Sequence, residues 1–308
     1  MNKPLTCIYH PVYSSLALPE NHRYPIQKYR LLFESLAQHE YLQDGLTIIE
    51  PEPLTTAQVT QLHCEHYIEA LFSGKLPASK MRRIGFPWSQ QLIERTLTSA
   101  GGTWETVKQA LAHGLAIHLS GGYHHAHHDF GSGFCLINDL AIAANLALNE
   151  EKIEKVMIID LDVHHGDGTA TITDNTDKII TVSAHCEKNY PARKPSSSYD
   201  LPLDKHTSDH EYLQLLHQFI PLWLEQHQPD LVIYDAGVDI HIDDELGYCD
   251  ISTKGLYQRD HFILAECLRR EIPVAAVIGG GYRTEQSALV PLHQQLLCAA
   301  KQLWYQSQ

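Results

Sequence analysis

Short apolar runs recur along the chain, and most are followed by a polar or glycine-containing segment and then by apolar positions at helical spacing. Runs of four or five apolar residues are typical of strands that are buried on both faces of a parallel sheet. The predicted strands lie at residues 6–10, 46–49, 115–119, 156–159, 178–183, 231–234 and 274–278. Alternating strands and helices predict an α/β fold with a mainly parallel central sheet flanked by helices.

Helical spacing is found between most of these strands. The longest predicted helices lie at residues 26–38, 138–148, 209–226 and 286–305. Shorter ones are predicted to begin near Ala57 and to include residues 67–71, and residues 91–114 are predicted to form two helical stretches around Gly101 and Gly102.

Two segments are predicted to be loops. Residues 74–90 contain two glycines and two prolines, and residues 191–204 are mostly polar. The chain has no low-complexity linker and no internal repeat, so residues 1–308 are predicted to form a single domain.

Four of the predicted strands end in clusters of glycine, histidine and aspartate. These clusters lie near residues 121–125, 160–167, 235–239 and 279–282. Parallel sheets bind ligands just outside the carboxyl ends of their strands. Because independent buried strands have no structural reason to end in the same chemistry, we predict that the four clusters form one functional site.

The segment after the strand at 156–159 has the clearest metal-binding pattern. Side chains two residues apart on an extended chain point to the same side, which directs Asp160, Asp162 and His164 together. With Asp239 from another strand end, Asp162 and His164 make three ligands, and three protein ligands with an open position are typical of a catalytic zinc. The alternative is chance, since short Asp/His spacings are common and acids at strand ends often cap the next helix.

A pair of histidines follows a Gly-Gly turn. Asp160 and Asp167 are two acids that the metal does not need, and they could orient the rings of His124 and His125. A carboxylate bonded to each imidazole fixes its tautomer and tunes its basicity. Two oriented histidines beside a metal could therefore serve as general base and general acid.

Three further features of the sequence have simpler interpretations. His127 and His128 are predicted to be a surface pair, and His165 is predicted to have a structural role. The run of residues 279–282 lacks the G-x-G-x-x-G spacing and the following Lys-Ser/Thr of nucleotide-binding loops. We expect instead that its glycines bring the hydroxyl of Tyr282 to a developing oxyanion.

Composition excludes several classes of protein. With 23 Lys and Arg against 37 Asp and Glu, the formal charge of −14 argues against a general nucleic-acid binder. The seven scattered cysteines include no C-x-x-C pair, which favours reduced thiols in a cytoplasmic protein over disulfides or a zinc ribbon. The N-terminus lacks an apolar export segment, and no apolar run approaches the roughly 18 residues of a membrane span. We predict a cytoplasmic protein without a membrane span.

Taken together, these motifs resemble the histone deacetylase superfamily, which also contains acetylpolyamine amidohydrolases and acetoin-utilisation proteins. The order and spacing of the motifs match over most of the chain. The short length and residues 235–240 are most similar to the class IV (histone deacetylase 11-like) branch. The matching segments are Gly121-Gly122-Tyr123-His124-His125-Ala126, Gly133-Phe134-Cys135, Asp160-Leu161-Asp162-Val163-His164-His165-Gly166-Asp167-Gly168, Asp239 and Gly280-Gly281-Tyr282.

This resemblance implies a single catalytic domain over residues 1–308 with an arginase/deacetylase-like fold and two bound ions. The catalytic zinc would be bound by Asp162, His164 and Asp239. A potassium ion beside the zinc would be bound by Asp160, Asp162, His164, Ser183 and Ala184.

The resemblance also implies roles in catalysis. His125, paired with Asp167, would be the main general base and acid. His124, paired with Asp160, would be its electrostatic partner. Tyr282 would polarise the acyl carbonyl and stabilise the tetrahedral intermediate.

For the substrate, the resemblance implies a tunnel that receives the acylated side chain. Phe134 would line it, the carbonyl of Gly133 would accept from the substrate amide, and Tyr190 is the candidate for a second aromatic wall. Gly280 and Gly281 would also border the substrate. Two features depart from the common pattern: Tyr123 replaces a tryptophan or phenylalanine, and no acid that clamps the substrate backbone is identifiable in residues 74–90.

The expected activity is zinc-dependent removal of an acyl group, acetyl or longer, from lysine ε-amines in proteins or peptides, or from small amines. One alternative is an acetylpolyamine amidohydrolase, and another is a non-catalytic reader of acyl-lysine. The complete set of ligands, histidines and tyrosine argues against a reader. Arginase-type hydrolysis is disfavoured because a two-manganese site requires more Asp and His ligands than are found.

Overall fold

The structure is a computed structural model that describes residues 4–306. Two predictions include residues outside this range. The prediction that the N-terminus lacks an export segment includes residues 1–3, and the predicted domain of residues 1–308 includes residues 1–3 and 307–308. Within residues 4–306, no helix has both the length and the apolar character needed to cross a membrane. The seven cysteines are free thiols.

Eight strands are found in the described part of the chain. They are β1 (Leu5–Ile8), β2 (Leu46–Ile49), β3 (Leu115–His118), β4 (Val156–Asp160), β5 (Ile179–Cys186), β6 (Tyr199–Leu203), β7 (Leu231–Asp235) and β8 (Val274–Val277). They form one sheet in the order β2-β1-β3-β8-β7-β4-β5-β6. Every pairing between neighbours is parallel, which confirms the predicted α/β fold with a parallel sheet.

Helices cover both faces of this sheet. They are α1 (Lys28–Leu36), α2 (Thr56–Val59), α3 (Glu65–Phe72), α4 (Ala78–Ile84), α5 (Gln90–His113), α6 (Asp139–Ala147), α7 (Asp167–Ile172), α8 (Asp209–His227), α9 (Thr253–Leu268) and α10 (Val290–Gln306). Successive side chains of a strand point to opposite faces. Accordingly, Met157 and Ile159 of β4 belong to a buried cluster that includes residues of α9 and α10. Val156 and Ile158 belong to a second cluster, which includes residues of α5 and α6.

The loop predicted for residues 74–90 is wrong in its centre, where α4 forms. Gly85 ends this helix with a φ of +94°, a value that glycine adopts without strain. Ile84 is fully buried, and its carbonyl accepts a hydrogen bond of 2.7 Å from the amide of Phe134. The helix therefore supports the segment that contains Phe134.

The two helical stretches predicted around Gly101 and Gly102 are in fact one helix, α5, of 24 residues. A side chain at Gly101 would collide with the backbone of Glu52, and one at Gly102 would collide with Tyr13 and His118. The glycines permit close packing of the helix and do not interrupt it.

Two elements were not anticipated. Residues 199–203, at the end of the predicted loop 191–204, form the edge strand β6, in which Leu201 and Leu203 are buried and Asp200 and Pro202 are exposed. Because this strand is buried on one face only, it has no apolar run. Helix α9 was not predicted, because Arg259 and Asp260 interrupt the helical spacing of its apolar residues. Both of these charged residues are buried.

The sheet order brings the four polar clusters together. Strands β3, β8, β7 and β4 are consecutive neighbours, and each of the four clusters follows one of them. Because parallel strands have their carboxyl ends at the same edge, the clusters lie side by side there. The predicted convergence of the strand ends is confirmed.

Candidate active site

A cavity of about 480 Å³ opens at this edge of the sheet. Its floor contains side chains from the polar clusters, and its walls contain aromatic residues from the surrounding loops. The lining residues are Arg23, His125, Gly133, Phe134, His164, Asn189, Tyr190, Glu245, Leu246, Tyr248 and Tyr282.

Three side chains at the floor form a candidate metal centre. Nδ1 of His164 lies 3.0 Å from Oδ1 of Asp162 and 3.0 Å from Oδ2 of Asp239. All three residues are buried. The amide of Gly280 donates to the other oxygen of Asp162, at 3.0 Å, and the amide of Val163 donates to the other oxygen of Asp239, at 2.9 Å. These backbone bonds direct the remaining oxygens toward the imidazole.

The charges of this trio are those of a cation site. Burial and the negative charge of Asp162 raise the pKa of Asp239 to about 6. Although burial opposes it, hydrogen bonds to Asp162 and Asp239 raise the pKa of His164 to about 10. Two buried carboxylates that share one imidazole favour a positive charge between them. Two carboxylate oxygens and one imidazole nitrogen are also donors that zinc accepts, so these residues fit a zinc ion.

His124 and His125 lie beside the trio, and each contacts a carboxylate. Nδ1 of His124 is 2.7 Å from Oδ2 of Asp160, and Nδ1 of His125 is 2.6 Å from Oδ1 of Asp167. The two Nε2 atoms are 3.1 Å apart. The histidines are buried, so these contacts are shielded from solvent.

The two histidines differ in charge. Burial disfavours the charged form of His124, but Asp160 and Asp162 outweigh it and raise the pKa of His124 well above its ordinary value. Burial and the positive charge of His124 lower the pKa of His125 to about 3. At neutral pH, His124 is therefore an imidazolium, and His125 is a neutral imidazole that can accept a proton.

The prediction of a surface pair at His127 and His128 is wrong for His127. Its Nε2 lies 3.1 Å from Oδ2 of Asp167, its Nδ1 lies 2.6 Å from the hydroxyl of Thr171, and its side chain is only 13% exposed. Asp167 thus lies between two imidazoles. The two adjacent pairs of histidines along one loop contained no indication of this contact, because Thr171 and Asp167 approach from α7. His128 is exposed, as predicted.

Tyr282 lines the same cavity as His125 and His164. Its ring centroid is 6.1 Å from that of His164 and 6.1 Å from that of Phe134. Burial and the negative charges of Asp162 and Asp239 raise the pKa of Tyr282 well above its ordinary value. The hydroxyl therefore keeps its proton and can act as a hydrogen-bond donor.

Phe134 and Tyr190 are both in the wall of the cavity, together with Gly133. The ring of Tyr190 is nearly perpendicular to that of His125 at a centroid distance of 4.8 Å, and its hydroxyl lies 2.5 Å from that of Ser132. Gly280 contacts Asp162 below the cavity. Gly281 is not in the cavity lining, and a side chain at this position would collide with Val238.

The residues expected around potassium lie at the end of β4, on the segment that follows it and on the neighbouring strand β5. Asp160 at the end of β4 is the register partner of Ser183 on β5. The hydroxyl of Ser183 is 3.0 Å from Nδ1 of His185. Next to this segment, Nε2 of His165 lies 3.2 Å from Asp200 of the edge strand, directed away from the cavity. Potassium binding stays a prediction.

Lys28 is a buried cation behind the site that the sequence did not predict. Its ammonium donates to the carbonyl of Gly279 at 2.8 Å and lies 5.8 Å from the centre of the Tyr282 ring. Burial lowers the pKa of Lys28 to about 8. At the start of a helix, a lysine is ordinarily a surface residue, so the sequence offered no indication of this contact.

The sequence was also compared with models of known protein families. A model of the histone deacetylase domain matches residues 22–294. The chain belongs to the histone deacetylase family.

Relatives of this chain include proteins of bacteria and plants. The chain is 43% identical over 303 residues to an uncharacterized protein of Picosynechococcus, covering 96% of this chain and 98% of that protein. It is 28% identical to histone deacetylase 2 of Arabidopsis thaliana, and the match covers 90% of this chain and 74% of that protein. It is 29% identical to the acetoin utilization protein AcuC of Bacillus subtilis, with coverage of 89% and 76%.

A crystal structure of an HDAC homolog complexed with SAHA has the same fold, with a TM-score of 0.80 over 97% of this chain and 84% of that one. The two sequences are 22% identical. The resemblance to the histone deacetylase superfamily and the predicted fold are thus confirmed, while assignment to class IV stays a prediction. Membership of the histone deacetylase family supports a deacetylase function, that is, a hydrolase acting on amides like acetyl-lysine.

Proposed function

We propose that this histone deacetylase family member is a zinc-dependent amidohydrolase that removes an acyl group from lysine ε-amines of proteins or peptides, or from similar small amines. One observation carries the proposal. Within a single cavity, His164 of the candidate metal-binding trio, the neutral His125 and the protonated Tyr282 line the same space, and Asp162 and Asp239 contact His164. These are the groups that amide hydrolysis requires: a Lewis acid, a base and an oxyanion donor.

Asp162, His164 and Asp239 would hold the zinc ion, which acts as a Lewis acid that polarises the acyl carbonyl and lowers the pKa of water. The direction of the substrate follows from the cavity. The amine side of an acyl-lysine is attached to a peptide and must lead to solvent, so the scissile amide lies at the floor. Phe134 and Tyr190 would contact the aliphatic stem, and the carbonyl of Gly133 would accept from the substrate amide. Gly280 and Gly281 would border the acyl end.

His125 would take a proton at Nε2 from the attacking water, because Nδ1 already donates to Asp167. The same proton would then pass from His125 to the leaving amine. The imidazolium of His124, balanced by Asp160, would stabilise negative charge that develops on the substrate. Tyr282 would donate its hydroxyl proton in a hydrogen bond to the carbonyl oxygen as that oxygen becomes negative.

Further parts of the proposal concern the whole chain. We propose that residues 1–308 form one catalytic domain of the class IV type, located in the cytoplasm. A structural potassium ion would be bound by Asp160, Asp162, His164, Ser183 and Ala184, with Asp160 and Ser183 approaching from adjacent strands. Such an ion would hold the end of β4, which leads to Asp162 and His164, against β5.

The test is hydrolysis of acyl-lysine peptides by the zinc-loaded wild type, H125Q and Y282F. Loss of a general base lowers kcat by about 10²- to 10⁴-fold, and loss of an oxyanion donor lowers it by about 10²- to 10³-fold. Matched controls are H128Q and Y41F, which change an exposed histidine and an exposed tyrosine. Both controls should retain wild-type rates, and thermal unfolding should show that all four variants are folded.

Near wild-type hydrolysis by H125Q or Y282F would contradict the proposed mechanism. The substrate is resolved by comparing acetyl, medium-chain and myristoyl lysine peptides with acetylspermidine. A higher kcat/KM for acetylspermidine would favour a polyamine amidohydrolase. Tight binding of an acyl-lysine peptide without turnover, at one zinc per chain, would indicate a reader.

A further inference from the structure

Tyr282 follows a backbone segment that cannot by itself hold a side chain in place. Residues 279–281 are all glycine, and two of them adopt positive φ values, +60° at Gly279 and +147° at Gly281. Glycine has the largest conformational freedom of any residue. A tyrosine that must meet a carbonyl oxygen within a few tenths of an ångström therefore needs an anchor outside this segment.

Asp244 supplies such an anchor. Its Oδ2 accepts a hydrogen bond of 2.7 Å from the backbone amide of Tyr282. Its Oδ1 accepts from the amides of Leu246, at 2.8 Å, and of Gly247, at 3.0 Å. Both oxygens of the carboxylate are used, so the side chain cannot rotate without losing hydrogen bonds. Leu246 belongs to the cavity wall, so Asp244 links the tyrosine to a wall residue of the same cavity.

The next residue holds the other polar group of the Tyr282 backbone. The amide of Glu245 donates to the carbonyl of Tyr282 at 3.0 Å. The Glu245 carboxylate accepts from the amide of Thr284 at 2.7 Å and from its hydroxyl at 2.9 Å. Tyr282 is thus fixed at its N–H and its C=O by consecutive residues of one loop, and of these two bonds only the bond to its N–H depends on a side chain.

Three N–H donors favour the carboxylate form of Asp244, although burial and the negative charge of Asp239 raise its pKa to about 8. Three N–H groups converge on Asp244, and a carboxylate offers acceptors on both oxygens. An asparagine has one acceptor oxygen, and its NH₂ group would face either the Tyr282 amide or the amides of Leu246 and Gly247. Either orientation leaves a donor opposed to a donor, which costs about 1–3 kcal/mol for a group shielded from water.

We infer that Asp244 is a positioning residue for Tyr282: its carboxylate fixes the backbone amide of the tyrosine and thereby aims the hydroxyl at the substrate carbonyl. This inference rests on the proposed function, because it assigns Asp244 a role in the same hydrolysis. Asp244 itself does not belong to the cavity lining. It acts through Tyr282, so substitution of Asp244 should have little effect on kcat in a variant that already lacks the hydroxyl of Tyr282.

The experiment is a double-mutant cycle with D244N, Y282F and the double variant, all loaded with zinc. D244N should lower kcat about 10- to 100-fold, since small misplacements of a reacting group have effects of this size. KM should stay within about twofold and zinc content at one per chain, because the trio is untouched. In the Y282F background, D244N should lower kcat by less than about twofold.

The matched control is D243N. Asp243 is the neighbouring acid, its side chain is 59% exposed, and it reaches Arg283 only at 3.5 Å. The D243N variant should therefore keep the kcat of the wild type. If the losses of kcat in D244N and Y282F multiply in the double variant, or if D244N loses zinc, then Asp244 acts on the loop or on the metal centre. Either result would show that the inference is wrong.

A second variant removes the contact from the other side. Replacing Tyr282 by its α-hydroxy analogue through nonsense suppression converts the amide into an ester, which deletes the N–H and keeps the phenol. Asp244 keeps its bonds to Leu246 and Gly247, so the loop stays supported even if D244N fails to fold. The ester should lower kcat about tenfold or more, and an unchanged kcat would overturn the inference.

The two proposals fail in different ways. Full activity of Y282F would refute the proposed function, together with any role for Asp244 in it. An inactive Y282F with fully active D244N and ester variants would refute the positioning role and leave the proposed function intact.

Discussion

Nε2 of His124 and Nε2 of His125 lie 3.1 Å apart, while the Nδ1 atom of each ring contacts a different carboxylate. Because His124 is charged and His125 is neutral, the only lone pair among the four ring nitrogens is on Nε2 of His125. His125 also lines the cavity. The pair therefore has one base, and its tautomer is set by Asp167.

Asp167→Asn should damage this base without removing it. The asparagine side chain can present an NH₂ group to Nδ1 of His125, which favours the tautomer with the proton on Nε2. Losing such a partner typically costs about 10- to 100-fold in activity. We expect kcat for acyl-lysine hydrolysis to fall by this factor, with KM nearly unchanged. D174N, at an exposed acid after the same helix, is the control, and an unchanged kcat in D167N would contradict the assignment.

Removal of zinc should destabilise the protein as well as inactivate it. A ligand that binds only the folded state at 100 times its Kd stabilises it by about 2.7 kcal/mol. We expect thermal unfolding of chelator-treated protein to occur at lower temperature, and zinc to restore both Tm and hydrolysis. In D239N, zinc should no longer raise Tm.

A second cluster offers the control for this experiment. His165, His185 and Asp200 also bring possible ligand atoms within 4.8 Å of one another. D200N should keep the full zinc-dependent shift of Tm. If instead the shift persisted in D239N and disappeared in D200N, the ion would belong to the second cluster, and the trio would not be the zinc site.

Arg259 should be essential for stability, because it joins α9 to the loop that leads to Asp239. It donates to the carbonyl of Gly237 at 2.6 Å, to that of Ala236 at 3.1 Å and to Asp260 at 2.8 Å. Removing one partner of a buried ion pair costs about 3–5 kcal/mol. Arg259→Met should lower the free energy of unfolding by this amount in urea titrations.

The control for Arg259 is Arg269→Met. Arg269 follows the same helix, is 63% exposed and pairs with Glu266. Surface substitutions of this kind stay within about 0.5 kcal/mol. Equal losses of stability in the two variants would show that the buried contacts of Arg259 have no special weight.

Stability should fall in mild acid because of His118. This residue is buried between the hydroxyls of Tyr13, at 2.9 Å, and Thr103, at 3.1 Å. Burial and the charge of Arg95 lower the pKa of His118 to about 3. Below the ordinary value of about 6.5, the unfolded chain takes up a proton that the folded chain refuses. This one residue should therefore reduce the free energy of unfolding by up to about 1.4 kcal/mol per pH unit as pH falls from 6.5 toward 4.

The measurement is urea unfolding of wild type and H118Q between pH 4.5 and pH 7. H118Q should be less stable at pH 7, because two buried hydroxyls lose a partner, but its stability should depend less steeply on pH. H66Q, at a histidine whose side chain is 93% exposed, should keep the wild-type slope. An H118Q slope equal to that of the wild type would contradict the prediction.

Most of the central sheet could be predicted because its strands are buried on both faces and therefore have continuous apolar runs. The same runs located the carboxyl ends, and period-two alternation directed Asp162 and His164 to one side. The edge strand β6 and helix α9 escaped detection because their burial depends on elements far away in the chain. The contacts of His127 and Lys28 were missed for the same reason.

By itself, the sequence determined the parallel α/β architecture, the four polar strand ends and the residue types of a zinc-dependent amide hydrolase. Those properties follow from local periodicity and from chemistry that adjacent residues carry. Only the tertiary structure decided that Asp167 lies between His125 and His127, that Gly101 and Gly102 lie within one helix and that Asp244 holds the amide of Tyr282. The physical reason is that hydrogen bonds and burial depend on which distant segments meet, and no spacing along the chain specifies that.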